Sequence, residues 1–434
     1  MDYLRSSNQF QRQRRFGGWL LGGAAIATGA FLVGILISNP VWSRRAQWGW
    51  EQARAWTRDT FVRQSDTLPA PAELAAEPVE VAAPSEVVPD DLLALQAERD
   101  VLPVSEPVDA PAGEPEQTFD ILEAPPAFEL SGFQHEFQDI NNCGPTTLAM
   151  DLRYWGWEGD QYTIADVVKP VQRDKNVRWD ELVYYVRTQA GWLDALFRVG
   201  GDFGSIETFV ANGYPVIIET GYTVDDYWVG HYLLVTGYDR AERTFIVQDV
   251  TGGPNRRMAY ETVDELWQQF NRLYILVFPA GDRDKIEFML GDNADLNADR
   301  EMALAQAEAD VTADPENAFA WFNLGSNLNY FDRYAEAAEA YDRAREIGLP
   351  WRMLFYQFGP YIAYFNTGRY EDVESLATAT LDARPDLEES YVWRGWARHM
   401  LGDTAAAIQD FNAALLVNPN YTDAITALEY FGAR

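Results

Sequence analysis

The sequence predicts an α+β domain followed by an all-α repeat solenoid, the two carried behind one N-terminal transmembrane helix. Three observations predict this. Residues 16–37 are uncharged and mostly apolar. In the middle of the chain, helical periodicity gives way to short β-branched runs between residues 215 and 278. After residue 300 the helical pattern returns and repeats.

Composition supports several folded units. The 434 residues suit two to four domains at roughly 100–200 residues each. Apolar residues make up 47% and aromatics 14%, which is ample for hydrophobic cores. The formal charge of −33 excludes a nucleic-acid partner bound through a basic face, because phosphate would be repelled. One Cys excludes an intrachain disulfide framework and any Cys-based zinc finger, and three His leave little for a metal centre. Neither metal nor cofactor is expected.

The N-terminal elements follow in order. Residues 1–15 form a short basic tail with Arg12, Arg14 and Arg15 at its end. The 22 residues of 16–37 span about 33 Å as a helix, enough to cross a bilayer core of roughly 30 Å. No small-residue cleavage site follows in Ser38-Asn39-Pro40-Val41-Trp42, so an uncleaved signal anchor in the lipid bilayer is expected. Arg residues are nearly balanced on the two sides. The short basic tail and the long acidic remainder favour a cytoplasmic N-terminus. The expected location is the cell membrane, single-pass, with the C-terminal domains extracytoplasmic. Residues 38–64 include Trp42, Trp48, Trp50, Trp56 and several Arg, the composition of an interfacial segment. Residues 65–130 hold 11 Pro, 16 acidic residues and a single basic one, Arg99. That segment reads as a disordered acidic tether with at most a short helix near Asp91–Arg99.

Residues 131–280 read as the α+β domain. Helical stretches run from Cys143 to Trp155, from an N-cap at Thr163, over Asp180–Arg187 and over Ser205–Ala211. Strands follow at Pro215–Glu219, His231–Tyr238, Thr244–Gln248 and Tyr274–Phe278. Helices first and antiparallel strands afterwards make an α+β domain.

Residues 300–434 are helical and repetitive. Trp321, Leu324, Gly325, Ala337, Tyr341 and Ala344 set a pattern, and its last four positions recur as Gly395, Ala407, Phe411 and Ala414, with Pro419 beyond. Ala337 to Ala407 is 70 residues, two periods of about 35. This pattern resembles the tetratricopeptide repeat, a helix-turn-helix that stacks into a solenoid. About three repeats are readable, with a capping helix at Glu301–Asp310. The resemblance implies a protein or peptide docking surface.

The candidate chemistry centres on Cys143, in Asn141-Asn142-Cys143-Gly144-Pro145. A thiol at a helix start is exposed to backbone N–H groups and the positive end of the dipole, which favour the thiolate. Gly144 is expected to leave room for a substrate backbone. A thiolate nucleophile needs a base and an orienting group. His231 opens one strand and Asp249 ends the next, so a hairpin sets them side by side. Gln138, upstream of Cys143, is a candidate oxyanion donor. Taken singly, each has a structural alternative: a buried small thiol, a core histidine, a turn aspartate. His135 and His399 read as surface or structural residues.

The combination resembles the double-glycine leader peptidases, papain-like cysteine peptidases known from bacteriocin-processing exporters, and especially their stand-alone relatives. The nucleophile motif is carried by Phe137-Gln138-Asp139-Ile140-Asn141-Asn142-Cys143-Gly144-Pro145-Thr146-Thr147-Leu148-Ala149-Met150. The histidine motif is carried by Gly230-His231-Tyr232-Leu233-Leu234-Val235-Thr236-Gly237-Tyr238-Asp239, and the acid motif by Gln248-Asp249. Val250 stands where the family often has Pro. The resemblance covers residues 131–280 and implies Cys143 as nucleophile, His231 as general base, Asp249 as its orienter and Gln138 in the oxyanion hole. The chain has no GxxxxGK[ST], so cleavage coupled to export is not expected.

Three functions compete at this point. One is a membrane-anchored cysteine peptidase acting on a peptide or protein substrate. Another is a transferase or amidase on the same residues. The last is a repeat-based scaffold whose papain-like domain is inactive.

Overall fold

The computed structural model describes residues 67–71, 119–169, 176–224 and 227–434. The expectations for residues 1–15, 16–37 and 38–64, and for a helix at Asp91–Arg99, lie outside the described residues. Among the described residues no helix is long and apolar enough to cross a membrane.

The N-terminal part of the described chain is a sheet domain. Strand β1 (Ala127–Glu129) precedes helices α1 (Cys143–Tyr154), α2 (Gln161–Val168) and α3 (Trp179–Gln189). Then come β2 (Leu193–Arg198), α4 (Phe203–Ala211), β3 (Val216–Val224), β4 (Tyr227–Asp239), β5 (Thr244–Asp249) and β6 (Gly253–Ala259). Helix α5 (Tyr260–Gln268), β7 (Tyr274–Pro279) and α6 (Arg283–Leu290) complete it. The strands form one antiparallel sheet in the order β2-β7-β3-β4-β5-β6, with β1 added to the end of β4.

Strand side chains alternate between two cores, as the two-residue period demands. Ile217, Tyr232, Leu234, Ile275 and Val277 face one core with Leu148, Leu152 and Leu182 of α1 and α3. Val216, Ile218, Leu233, Leu276 and Phe278 face the other with Ile206, Phe209, Val263 and Ile286 of α4, α5 and α6. Both faces of the central strands are covered, which is why they read as continuous apolar runs.

Three expectations change. Helix α2 is capped by Asp160, not Thr163: the Asp160 carboxylate accepts from the Thr163 N–H at 3.0 Å, and Thr163 Oγ1 accepts from the Asp160 N–H. Thr163 is therefore the third residue of the same capping box. Strands β2 and β6 were not anticipated. Residues 119–130, expected in the tether, pack on the sheet domain: β1 pairs with β4, the Tyr238 hydroxyl donates to Pro125 O at 2.9 Å, and Asn212 Nδ2 donates to Leu122 O at 3.0 Å.

The helical region begins with α7 (Leu296–Ala313), longer than the expected capping helix. Three helix pairs follow: α8 (Ala318–Tyr330) with α9 (Tyr334–Ile347), α10 (Gly359–Asn366) with α11 (Tyr370–Ala383), and α12 (Glu388–Met400) with α13 (Thr404–Val417). Helix α14 (Thr422–Tyr430) ends the stack. Small residues sit where paired helices touch. A Cβ on Gly325 would meet the Tyr341 ring at 2.8 Å, and one on Gly395 would meet Phe411 at 2.6 Å.

The sheet domain and the helical region share a core. Trp228 and Phe270 belong to the same apolar cluster as Phe322, Tyr341 and Phe358. The turn after α5 carries the polar contacts: Asn271 and Asn327 exchange amide hydrogen bonds at 2.9 and 3.2 Å, and Arg272 pairs with Asp310 at 2.7 Å. Residues 67–71, also expected in the tether, lie on the helical region. The Leu68 N–H donates to Leu349 O, and the buried Arg345 donates to Pro69 O and Ala70 O, all at 2.9 Å.

Candidate active site

The loop before α1 is built around one buried side chain. Gln161, at the start of α2, accepts at Oε1 from the Asp139 N–H (2.8 Å), Asn142 Nδ2 (2.8 Å) and Thr146 Oγ1 (3.1 Å). Its Nε2 donates to Glu136 Oε1 at 2.9 Å and Phe137 O at 3.0 Å. Asn141 adopts φ of 55°, a left-handed conformation that Asn tolerates, and the chain then turns directly into α1. Cys143 is the first residue of that helix and is partly exposed. Gly144 does not open onto a substrate as expected. A Cβ there would press on the Tyr232 ring at 3.3 Å and on Val177 at 3.4 Å, so its role is close packing under the thiol.

Strand β4 brings His231 to the thiol. Thr147 of α1 donates to Tyr232 O at 3.3 Å, fixing α1 against the strand beside His231. The ring of His231 is buried, and its Nε2 lies 3.0 Å from Asp249 Oδ1 at the end of β5. That leaves Nδ1 for the sulphur, which is within hydrogen-bonding reach. Asp249 is itself held firmly. Its Oδ1 accepts from the Thr251 N–H at 2.9 Å, and its Oδ2 pairs with Arg256 on β6.

The electrostatics of the three groups are linked. Burial pushes the Cys143 thiol up. The hydrogen bond and charge of His231, with the backbone N–H groups of Tyr232 and Gly144, outweigh burial, so the thiol lies below its usual range. Burial pushes His231 down, but Asp249 and the Cys143 sulphur raise it to about 9. Burial likewise opposes ionisation of Asp249, yet His231 and the N–H groups of Gly252 and Thr251 hold it well below the ordinary carboxylate range. Together these directions favour a thiolate–imidazolium pair with an ionised carboxylate behind it.

Gln138 is brought to the same corner through its backbone, whose N–H donates to Val250 O at 2.9 Å, next to Asp249. Its Oε1 is buried without a hydrogen-bond partner. His135, read from sequence as surface or structural, has Nε2 2.9 Å from the Asp249 carbonyl and so braces the same turn. His399 lies far along the chain on α12, bonded to Thr404 Oγ1 at 2.9 Å.

Sequence reasoning did not find Gln161, Arg256, Tyr222 or Tyr356. The Tyr222 ring meets His231 edge-on at 5.2 Å. Tyr356 comes from the helical region, between α9 and α10, and packs over Gly230; a Cβ on Gly230 would meet its ring at 2.8 Å. Burial pushes the Tyr356 hydroxyl up, the Arg352 charge and the Gly230 N–H pull it down, and the charge of Cys143 adds to the rise. No local pattern in the sequence marked Tyr356. Among the described residues no group of His, Cys, Asp and Glu side chains has the makings of a metal site.

Comparison with known proteins finds a family model to which this part of the chain is similar. The family model described as Peptidase_C39 like family matches residues 127–275, which contain Cys143, His231 and Asp249. Solved structures match as well. The crystal structure of MamA is 16% identical and covers 36% of this chain and 85% of its own, with a TM-score of 0.28. The crystal structure of YrrB, described as a TPR protein with an unusual peptide-binding site, is 16% identical, with coverage of 33% and 89% and a TM-score of 0.19. No curated protein matches the chain.

Proposed function

We propose that the chain is a papain-like cysteine peptidase in which Cys143 is the nucleophile, His231 the base and then the acid, and Asp249 the group that orients His231. The observation that carries this reading is the linked arrangement of a thiol at a helix start, a buried imidazole and a buried ionised carboxylate 3.0 Å behind it. The thiolate attacks a peptide carbonyl. The oxyanion is met by the Cys143 N–H and the Gln138 amide, and the imidazolium then protonates the leaving amine. Water, activated by the now neutral His231, hydrolyses the acyl-enzyme. Within the C39-like group, the stand-alone relatives of the double-glycine leader peptidases remain the type we favour.

A thiol-reactive probe tests the nucleophile and a peptide library tests the reaction. Cys143 should be labelled far faster than a free thiol at neutral pH. Peptides should be cleaved by the intact chain and not by Cys143→Ala. Slow labelling together with no cleavage would favour a scaffold instead.

The proposal extends to the rest of the chain. Residues 16–37 anchor the enzyme in the cell membrane, with the N-terminus cytoplasmic and the later domains extracytoplasmic, and the helix pairs dock a protein or peptide. The uncharged run and its Arg- and Trp-rich flank support the anchor. Protease added to intact cells should digest residues 300–434. Protection of that region until lysis would reverse the topology.

A further inference from the structure

A cavity of about 390 Å³ lies where the sheet domain meets the helical region. Tyr222, Trp228 and Glu265 line it from the sheet domain, and Phe319, Trp351 and Arg352 from the helical region. Neither region forms it alone. Its volume falls within the range of ligand pockets, roughly 300–1,000 Å³.

Two features connect the cavity to the thiol. The Tyr222 ring that lines it is the ring in edge contact with His231 at 5.2 Å. On the opposite wall, Arg352 is followed closely by Tyr356, which packs over Gly230, the residue before His231. The cavity is therefore separated from the histidine by the Tyr222 ring.

The charges in the cavity are unequal. The Arg352 guanidinium lies over the Trp351 ring at 5.7 Å and the Phe355 ring at 5.4 Å, which fixes its plane. Arg352 hydrogen-bonds the Tyr356 hydroxyl, a neutral partner, so its positive charge is left for a ligand in the cavity that it lines. A carboxylate entering there would be met by a charge-assisted hydrogen bond. Glu265 is exposed and solvated. The aromatic walls suit a carbon stem, and the guanidinium suits the carboxylate at its end.

We infer that this cavity is a substrate subsite, shared between the sheet domain and the helical region, in which Arg352 receives a peptide carboxylate on the His231 side of the scissile bond. The inference rests on the peptidase reading of Cys143 and His231. The carboxylate comes from an acidic side chain or from a free C-terminus, and the two sources are separable by experiment.

The test measures binding of fluorescently labelled peptides to the full chain carrying Cys143→Ala. One peptide pair differs only as Glu against Gln with an amidated end, and the other only as a free against an amidated C-terminus. One acidic member should bind about tenfold tighter than its neutral counterpart, the size of a charge-assisted hydrogen bond, and the pair that discriminates identifies the source. Arg352→Gln should erase the preference and Arg352→Lys should keep part of it. Glu265→Gln, at an exposed position, should tighten binding of the acidic peptide. Equal binding within both pairs would overturn the subsite, as would a preference that survives Arg352→Gln in a chain with unchanged melting, or no response to Glu265→Gln. Turnover of the same peptides by the chain with Cys143 intact separates the two readings. Turnover without discrimination removes the subsite alone. Discrimination without turnover counts against the peptidase reading and leaves a carboxylate-binding cavity that is not a substrate subsite.

Discussion

The two walls of the cleft are held by different means. The Cys143 wall is supported within the sheet domain: Gln161 gathers Glu136, Phe137, Asp139, Asn142 and Thr146 around one buried amide. The His231 wall is supported from outside as well. Trp228 stacks on Phe270 at 5.7 Å and on Phe319 of α8 at 6.3 Å, and Tyr356 closes over Gly230. Polar bonds of fixed direction suit a helix N-terminus, where unpaired backbone groups must be met. Aromatic packing suits a strand that needs only to be kept flat. The helical region is thus part of the histidine's support, not an appendage to it.

Substitutions can break this contrast. Removing the reactive groups has the largest effect, since each acts on the bond itself. Cys143→Ala should abolish turnover, and His231→Ala should lower kcat/KM by about a thousandfold or more, with the circular dichroism spectrum unchanged in both.

The pH profile tests the link between the walls. His231 is raised from 6.5 to about 9, so its protonated form persists well above neutrality. Hydrolysis should decline above about pH 9, by roughly tenfold per unit, as the imidazolium is lost. For stability the two shifts oppose each other. The raised His231 contributes stability that is lost as pH rises through about 9, while the lowered Cys143 contributes stability that grows as pH rises toward the ordinary thiol range, so the melting temperature should change little between pH 6.5 and about 9. A steep fall over that interval would show that the thiol stays protonated and the ion pair does not form.

Support residues come next. Gln161→Leu leaves three donors without their acceptor and should destabilise the fold by about 3 kcal/mol, measured by urea denaturation. Its reactive-thiol labelling rate should fall too, since the loop loses its centre. Tyr356→Phe removes only a hydroxyl and should cost about 1 kcal/mol or less. It should lower kcat more than it lowers thiol labelling, because its ring packs on Gly230 beside the histidine. An equal loss of labelling in both variants would collapse the distinction between the walls.

The sequence carried the apolar strands and the motif residues well. Val216–Ile218, His231–Tyr238, Thr244–Gln248 and Tyr274–Phe278 are strands because their side chains fill two cores. Strand β2 hides behind Asp194 and Arg198, which interrupt its apolar run while making ion pairs and backbone bonds of their own. Strand β6, Gly253-Pro254-Asn255-Arg256-Arg257-Met258-Ala259, is a mostly exposed edge paired only with β5, so no burial pattern marks it. At α2 both Asp160 and Thr163 are good caps, and only the geometry of the box decides which comes first. In the site, Cys143, His231 and Asp249 were readable from motif and order. Gln161, Arg256 and Tyr356 were not, because each reaches the site through a tertiary contact that local pattern does not encode.

The docking of residues 67–71 has a mechanical consequence. The contacts there are made by backbone carbonyls and amides, with Arg345 clamping Pro69 and Ala70 and Leu68 bonded to Leu349. Such a clamp resists sliding of the chain whatever its side chains are. Tension applied upstream of Thr67 is carried first into Leu349, just past the end of α9, and from there into the turn at Trp351–Phe355. The load path thus runs through the segment that bears Arg352 and leads to Tyr356, and it bypasses α1. A pull applied upstream of Thr67 strains the subsite wall before it strains the thiol.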